Sequence, residues 1–365
     1  MGPSEPDRQN KSTPRGEIMK VKAVVLEGIG EIRIRDIEVA GTLQPADNEV
    51  RIAVKTVGVC GSDVHYYKHG RIGDFVVNAP MILGHEAAGV VAAVGKDVAD
   101  LKVGDRVCME PGIPDFASRQ TLEGHYNLDP SVRFWATPPI HGCLTAEVVH
   151  PAALTYKLPD NVSFAEGAMV EPLAIGVYAA FKGDIRPGDI AVVAGAGTIG
   201  MMVAFAALAG GCAKVILSDV AKGKLDLVAD HPGIVTVDLN REKLADVVAA
   251  HTAGRGANLF FEASGSPHAF DDMMDVVGRG GRVVLVGMPQ DRVPLDVVAL
   301  EVKEISVTGI FRYANVWERT LALLGSGKID LKPLISASYP FDQSIAAFER
   351  AAKQNASDVK IQITL

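Results

Sequence analysis

The 365-residue sequence predicts an α/β nucleotide-binding domain joined to a mainly β domain that is split across the chain. Three observations carry this expectation. Short apolar runs broken by Gly, Pro and Asp fill residues 20 to about 151, as in a half-buried sheet or barrel. From about Phe164, helical segments alternate with continuous apolar strands, as in a parallel sheet covered on both faces. The tail after Phe311 returns to a mixed pattern and is read as rejoining the first domain. The expected borders are therefore 20–172, 173–310 and 311–365.

Residues 1–19 are polar and Pro-rich, with no apolar stretch of the kind a secretory signal needs, and are expected to form a disordered tail. Strands are then expected at 22–26, 49–57, 89–95, 105–110 and 145–149. The second domain should contribute strands at 190–194, 214–218, 259–262, 282–286 and 305–308, with helices at 199–208 and 269–277 between them. A helix at 344–354 and a last strand at 359–364 complete the chain.

Composition excludes several functions. A net charge of -8 with no basic stripe argues against a nucleic-acid partner, and 6% aromatic residues offer no stacking platform for bases. Residues 190–213 carry no charge and are long enough to span a bilayer, but Gly195, Gly197, Gly200, Gly210 and Gly211 interrupt them. They read as strand, turn and buried helix, so no membrane is expected. Cys60, Cys108, Cys143 and Cys212 are widely spaced with no CxxC pair, which points to a reducing compartment and a cytoplasmic protein.

Gly195-Ala196-Gly197-Thr198-Ile199-Gly200 fits the GxGxxG pattern after an apolar strand and before a helix. Gly195 permits the tight turn, Gly197 lets the backbone approach a pyrophosphate, and Gly200 lets helix and strand pack closely. The N-terminus of that helix offers free N–H groups and a positive dipole end to phosphates. Asp219 closes the second strand about 20 residues later, where a carboxylate accepts from both ribose hydroxyls and repels a 2′-phosphate. The dinucleotide is therefore expected to be NAD. Cys60, the pair His85-Glu86, and Glu171 supply a thiolate, an imidazole and two carboxylates, the ligand chemistry of a zinc site with an open position. Together the two signals suggest metal-assisted hydride transfer.

The segments Val57-Gly-Val-Cys-Gly-Ser-Asp-Val-His65 and Gly84-His-Glu-Ala-Ala-Gly89 resemble the medium-chain zinc dehydrogenases. Glu110-Pro-Gly112, Tyr126-Asn-Leu128, Ala136-Thr-Pro-Pro139, Glu171-Pro-Leu-Ala174 and Gly309-Ile-Phe-Arg-Tyr313 narrow the likeness to the polyol branch, the sorbitol and xylitol dehydrogenases. The resemblance implies a Rossmann nucleotide-binding domain and a GroES-like catalytic domain. It implies that Cys60, His85 and Glu86 contact zinc, and that Glu171 either ligates it or orients its water. Ser62 and His65 match a proton relay; Tyr66, Phe134, Arg312 and Tyr313 match residues lining the polyol pocket, with Glu171 holding a hydroxyl as well. Lys224 stands where the family often places a basic residue near the adenosine ribose.

Many relatives carry a second, structural zinc on a four-cysteine lobe. The matching positions here are Asp115, Ser118, Thr121 and Asp129, a hard oxygen set that would hold zinc poorly. One catalytic zinc per subunit, no structural zinc, and a lobe held by packing alone are the expectations. The implied reaction is oxidation of a polyol at C2 to the 2-ketose with NAD, xylitol first and sorbitol or arabinitol next, by a homotetramer. Two other readings stay open: an NAD-dependent zinc dehydrogenase of an amino alcohol such as threonine, and a non-catalytic NAD-binding or storage protein on the same fold.

Overall fold

The computed structural model describes residues 19–39 and 43–365. Residues 1–18 of the expected tail and residues 40–42 lie outside the described residues, and Met19 opens the first strand, Met19–Gly28.

The first domain is built on a mixed sheet in the order Thr155–Lys157, Arg106–Met109, Glu86–Val94, Glu49–Val59, Lys360–Thr364 and Ile335–Pro340, with Glu147–Pro151 also paired to Glu49–Val59. Alternation sets which side chains face the core. Val50, Ile52 and Val54 are buried at every second position of Glu49–Val59, packed with Val91, Val107, Ile361 and Ile363. A smaller sheet places Met19–Gly28 between Glu31–Val39 and Met81–Ile82.

The second domain is a six-stranded parallel sheet in the order Ile234–Asp238, Lys214–Asp219, Ile190–Ala194, Ala257–Glu262, Val277–Leu285 and Ser306–Gly309. The strand order reverses on either side of Ile190–Ala194, so a crevice opens beyond the carboxyl ends of the central strands. The Thr198–Gly210 helix is apolar nearly all round because it is covered nearly all round: Met201, Met202, Val203 and Ala204 are fully buried. At 13 residues it is too short to span a bilayer, and no helix among the described residues is long and apolar enough to cross a membrane. The expected strands and helices in both domains are present, with ends displaced by a few residues.

Continuous elements cross or adjoin the expected borders. The 172/173 border falls inside the Val170–Lys182 helix, which continues unbroken from one domain to the other. It packs tightly on the Thr198–Gly210 helix, where a side chain at Gly176 would meet the Met202 carbonyl at 2.5 Å. The Trp317–Gly325 helix buries Trp317, Leu321 and Leu324 in a cluster shared by both domains, with Ala88 and Leu158 from the first and Met201 and Leu217 from the second, and the chain next enters the mixed sheet at Ile335–Pro340.

Candidate metal centre and dinucleotide crevice

Cys60 ends the Glu49–Val59 strand and caps the Gly61–His69 helix, while His85 and Glu86 begin the neighbouring Glu86–Val94 strand. Their ligand atoms all lie within 4.8 Å of one another. Two devices bring them together. Asp63, fully buried, accepts from the Cys60 N–H at 3.1 Å and from the Gly84 N–H at 3.0 Å, and so staples the two ligand-bearing segments. Gly58 leaves the space that the Glu86 carboxylate fills, since a Cβ there would stand 2.0 Å from Glu86 Oε2. Burial disfavours protonation of His85, but the charges of Cys60, Asp63 and Glu171 outweigh it and push its pKa up to about 10. Its Nδ1 is buried without a hydrogen-bond partner, 3.9 Å from Asp63 Oδ1. A thiol, an imidazole and a carboxylate whose ligand atoms converge within 4.8 Å, in a largely buried site, fit a zinc ion.

The Glu86 carboxylate is also gripped by Lys360. The Lys360 Nζ is 2.7 Å from both oxygens, in a site where Lys360 is 2% and Glu86 1% exposed. Burial would strip the proton from Lys360, yet the Glu86 charge prevails and its pKa is raised. Glu171, in the first turn of the Val170–Lys182 helix, lies outside the convergent trio and accepts from the Tyr313 hydroxyl at 2.8 Å. Burial raises its pKa, opposed by the charge of His85. Phe134 forms a wall beside the trio: its ring centroid is 5.6 Å from that of His85, and the Arg312 guanidinium lies over the same ring, 4.0 Å from its centroid. Tyr66 is 3% exposed on the Gly61–His69 helix, its hydroxyl pKa pushed up to about 12 by burial and by Asp63.

Ser62 and His65 sit on the same helix three residues apart, hence on one face. His65 Nδ1 is 2.8 Å from the Arg71 carbonyl. A ring nitrogen facing a carbonyl oxygen must donate, which leaves Nε2 of the neutral ring as an acceptor.

In the second domain Gly195 adopts φ 100° and a Cβ there would meet Ser264, so the turn requires glycine. Gly200 is required more strictly, because its Cβ would stand 1.7 Å from the Gly195 carbonyl oxygen. Gly197, at the N-cap of the Thr198–Gly210 helix, has nothing within 4 Å of its missing side chain. That open space beside free helix N–H groups suits a pyrophosphate. Asp219 accepts from the Ala196 N–H at 2.6 Å and the Ala221 N–H at 2.7 Å, holding the glycine turn, and borders a cavity of about 170 Å³ with Leu239, Phe260 and Ser264. The Thr198 hydroxyl is spent elsewhere, donating to the Val359 carbonyl at 2.7 Å, so only its backbone faces the phosphate position. Ile199 is half-buried in the domain core. Lys224 is half-buried on the short Lys222–Leu225 helix and faces Asp358 electrostatically.

Residues 46–160 match the alcohol dehydrogenase GroES-like domain, and residues 198–326 match the zinc-binding dehydrogenase domain. A D-xylulose reductase of Morganella morganii is 56% identical over 336 residues, covering 92% of this chain and 98% of its own. The sorbitol dehydrogenase of Mus musculus is 38% identical over 333 residues, covering 91% and 92%. The chain belongs to the zinc-binding dehydrogenases, in their polyol branch. Among solved structures, the 2R,3R-butanediol dehydrogenase of Bacillus subtilis superposes with a TM-score of 0.85 at 29% identity, covering 94% of this chain and 99% of that one. The family's two-domain fold is therefore present across nearly the whole described chain.

The structure thus brings Cys60, His85 and Glu86 into one cluster, sets Phe134, Arg312, Tyr313 and Glu171 beside it, and places Gly195 and Asp219 on one cavity, with Gly197 and Gly200 at the start of the adjoining helix. Sequence reasoning missed Asp63 and Lys360. A lone lysine in the apolar strand Lys360–Thr364 was the available signal, since a buried lysine demands an anion. The lobe at 115–131 needs a correction as well. It is tied by hydrogen bonds and not by packing alone: Asp129 accepts from the Asp115 N–H at 2.6 Å, and the Ser118 hydroxyl donates to Thr121 Oγ1 at 2.9 Å. Short oxygen-bearing side chains at these positions cap one another and the local backbone.

Proposed function

We propose that this protein oxidises a polyol at C2 to the 2-ketose with NAD, taking xylitol first and sorbitol or arabinitol next. One observation carries the reading: the Cys60, His85 and Glu86 trio stands beside a wall of hydroxyl-reading groups, with Glu171 hydrogen-bonded to Tyr313 and Arg312 stacked on Phe134. A polyol is neutral, so its pocket needs donors and acceptors more than countercharge, and such a site discriminates against alcohols lacking them.

Cys60, His85 and Glu86 hold one zinc per subunit, and no structural zinc is assigned to the Asp115–Asp129 oxygen set. When bound, zinc supplies Lewis acidity to the alcohol oxygen, and NAD supplies the hydride acceptor. Glu171, outside the trio and sharing a proton-donating contact with Tyr313, orients a hydroxyl or water instead of closing the ligand set. Ser62 and His65, the latter with Nε2 left as acceptor, would relay the proton outward by way of the nicotinamide ribose hydroxyl when the cofactor is bound. Gly197 and the helix N-terminus seat the pyrophosphate, Asp219 the ribose hydroxyls, and Lys224 stands near the adenosine end.

The Ser306–Gly309 strand ends the parallel sheet with its outer edge unpaired among the described residues. The adjoining Val297–Lys303 helix exposes Val297 at 57%, Val298 at 68% and Val302 at 60%. This apolar edge supports pairing with a second copy and the homotetramer. Four unpaired cysteines support a reducing, cytoplasmic setting.

The test is NADH formation by zinc-replete protein with xylitol, sorbitol and arabinitol in parallel, with elemental analysis of bound zinc and light scattering for mass. Turnover on one polyol with one zinc per chain is the expected result. Turnover on threonine and on no polyol would overturn the substrate reading.

A further inference from the structure

Two left-handed residues in one short loop, Arg312 at φ 54° and Asn315 at φ 59°, mark a backbone that neighbouring contacts must hold in place. Those contacts come from the lobe at 115–131. The Asn127 amide Nδ2 donates to the Phe311 carbonyl at 2.8 Å. The Asn315 N–H donates to the Tyr126 hydroxyl at 2.9 Å, and Asn315 Nδ2 donates to the Gly124 carbonyl at 2.8 Å. The Tyr126 hydroxyl is itself fixed, because it donates to Glu110 Oε1 at 2.7 Å while Tyr156 donates to Oε2 at 3.1 Å. Glu110 is 1% exposed and Asn127 5% exposed, so both ends of this brace sit on rigid, buried groups.

We propose that the lobe edge at 124–127 is a positioning device for the 311–315 loop, and that Asn127 and Tyr126 are specificity-determining positioning residues. The loop carries Arg312, stacked between Phe134 at 4.0 Å and Phe311 at 4.7 Å, and Tyr313, bonded to Glu171. Neither Asn127 nor Tyr126 belongs to the metal trio or the dinucleotide crevice. They act by pinning the loop on both sides of the two hydroxyl-reading side chains. Hydrogen bonds to a neutral substrate depend steeply on donor placement, so loosening the brace lowers discrimination among alcohols before it affects cofactor or metal binding. This rests on the polyol reading above.

Asn127→Asp keeps the volume and replaces the amide donor with an acceptor facing the Phe311 carbonyl. Asn315→Gly removes the second amide while relieving its left-handed backbone, so it tests the brace without a folding penalty. Hydrogen exchange over residues 310–316 reads the brace directly, whatever the substrate. The ratio of kcat/KM for xylitol to that for 2-propanol reads its effect on specificity, and NADH affinity and zinc content serve as readouts that general destabilisation would shift. The expected result is faster exchange in the loop and a fall of about tenfold in the ratio for each variant, with NADH affinity and zinc content held. Unchanged exchange overturns the brace. Faster exchange with an unchanged ratio overturns its role in specificity. A wild-type enzyme without polyol turnover refutes the polyol reading, while the exchange experiment still decides the brace.

Discussion

Lys360→Met isolates the least expected contact in the metal centre. The variant keeps an unbranched side chain one atom shorter and removes the charge that meets both Glu86 oxygens at 2.7 Å. With Glu86 1% exposed, its carboxylate is left in a site that water does not reach. Removing one partner of a buried ion pair costs about 3–5 kcal/mol. For a folding unit the size of the first domain, about 2–4 °C is lost per kcal/mol, so metal-free protein should melt roughly 6–20 °C lower. A divalent ion beside Glu86 is a replacement partner, so the zinc-loaded variant should lose less than half as much. The same difference appears as affinity. If Lys360 competes with zinc for Glu86, relief of about 3 kcal/mol tightens zinc by about two orders of magnitude. Differential scanning fluorimetry of both states, with a zinc titration against a fluorescent chelator, checks both numbers. Equal melting losses with unchanged zinc affinity would refute the reasoning, and Lys360 would then be a structural ion pair that ignores the metal.

Three further outcomes follow from particular contacts. Asp219→Ala removes the acceptor for two backbone amides as well as for the ribose, so NADH affinity measured by fluorescence should fall about 10- to 100-fold and the preference over NADPH should narrow; retained selectivity would show that Asp219 is not the ribose acceptor. Gly200→Ala places a methyl group 1.7 Å from the Gly195 carbonyl oxygen, so the dinucleotide turn should open and NADH binding be lost while zinc content stays. The Glu110 carboxyl is pushed from 4.5 up to about 7, chiefly by burial, against the hydrogen bonds of Tyr126 and Tyr156. A folded pKa above the unfolded one means that its contribution is fully present below pH 4.5 and lost as pH rises through 7. That amounts to about 3 kcal/mol, and Glu110→Gln should flatten the pH dependence of urea stability across this window; an unchanged slope would assign it to other groups.

Much of this protein was legible in the sequence because its signals are local. The glycine turn shows at fixed spacing: Gly195 and Gly200 stand where a Cβ would clash, and Gly197 has open space beside it at the helix N-terminus. Apolar strands such as Ile190–Ala194 announce themselves by composition, and Cys60 and His85-Glu86 by ligand chemistry. Tertiary structure decided what depends on residues far apart. Lys360 reaches Glu86 across 274 positions, Tyr313 reaches Glu171 across 142, and Asn127 reaches the Phe311 carbonyl across 184. No periodicity encodes such pairs, because each is selected by burial of a polar group that must find a partner wherever the fold supplies one. The seat of the Trp317–Gly325 helix has the same origin: its apolar stripe enters a cluster built from both domains, with Trp317 stacked on Tyr156, and only the assembled core shows which surfaces that stripe meets.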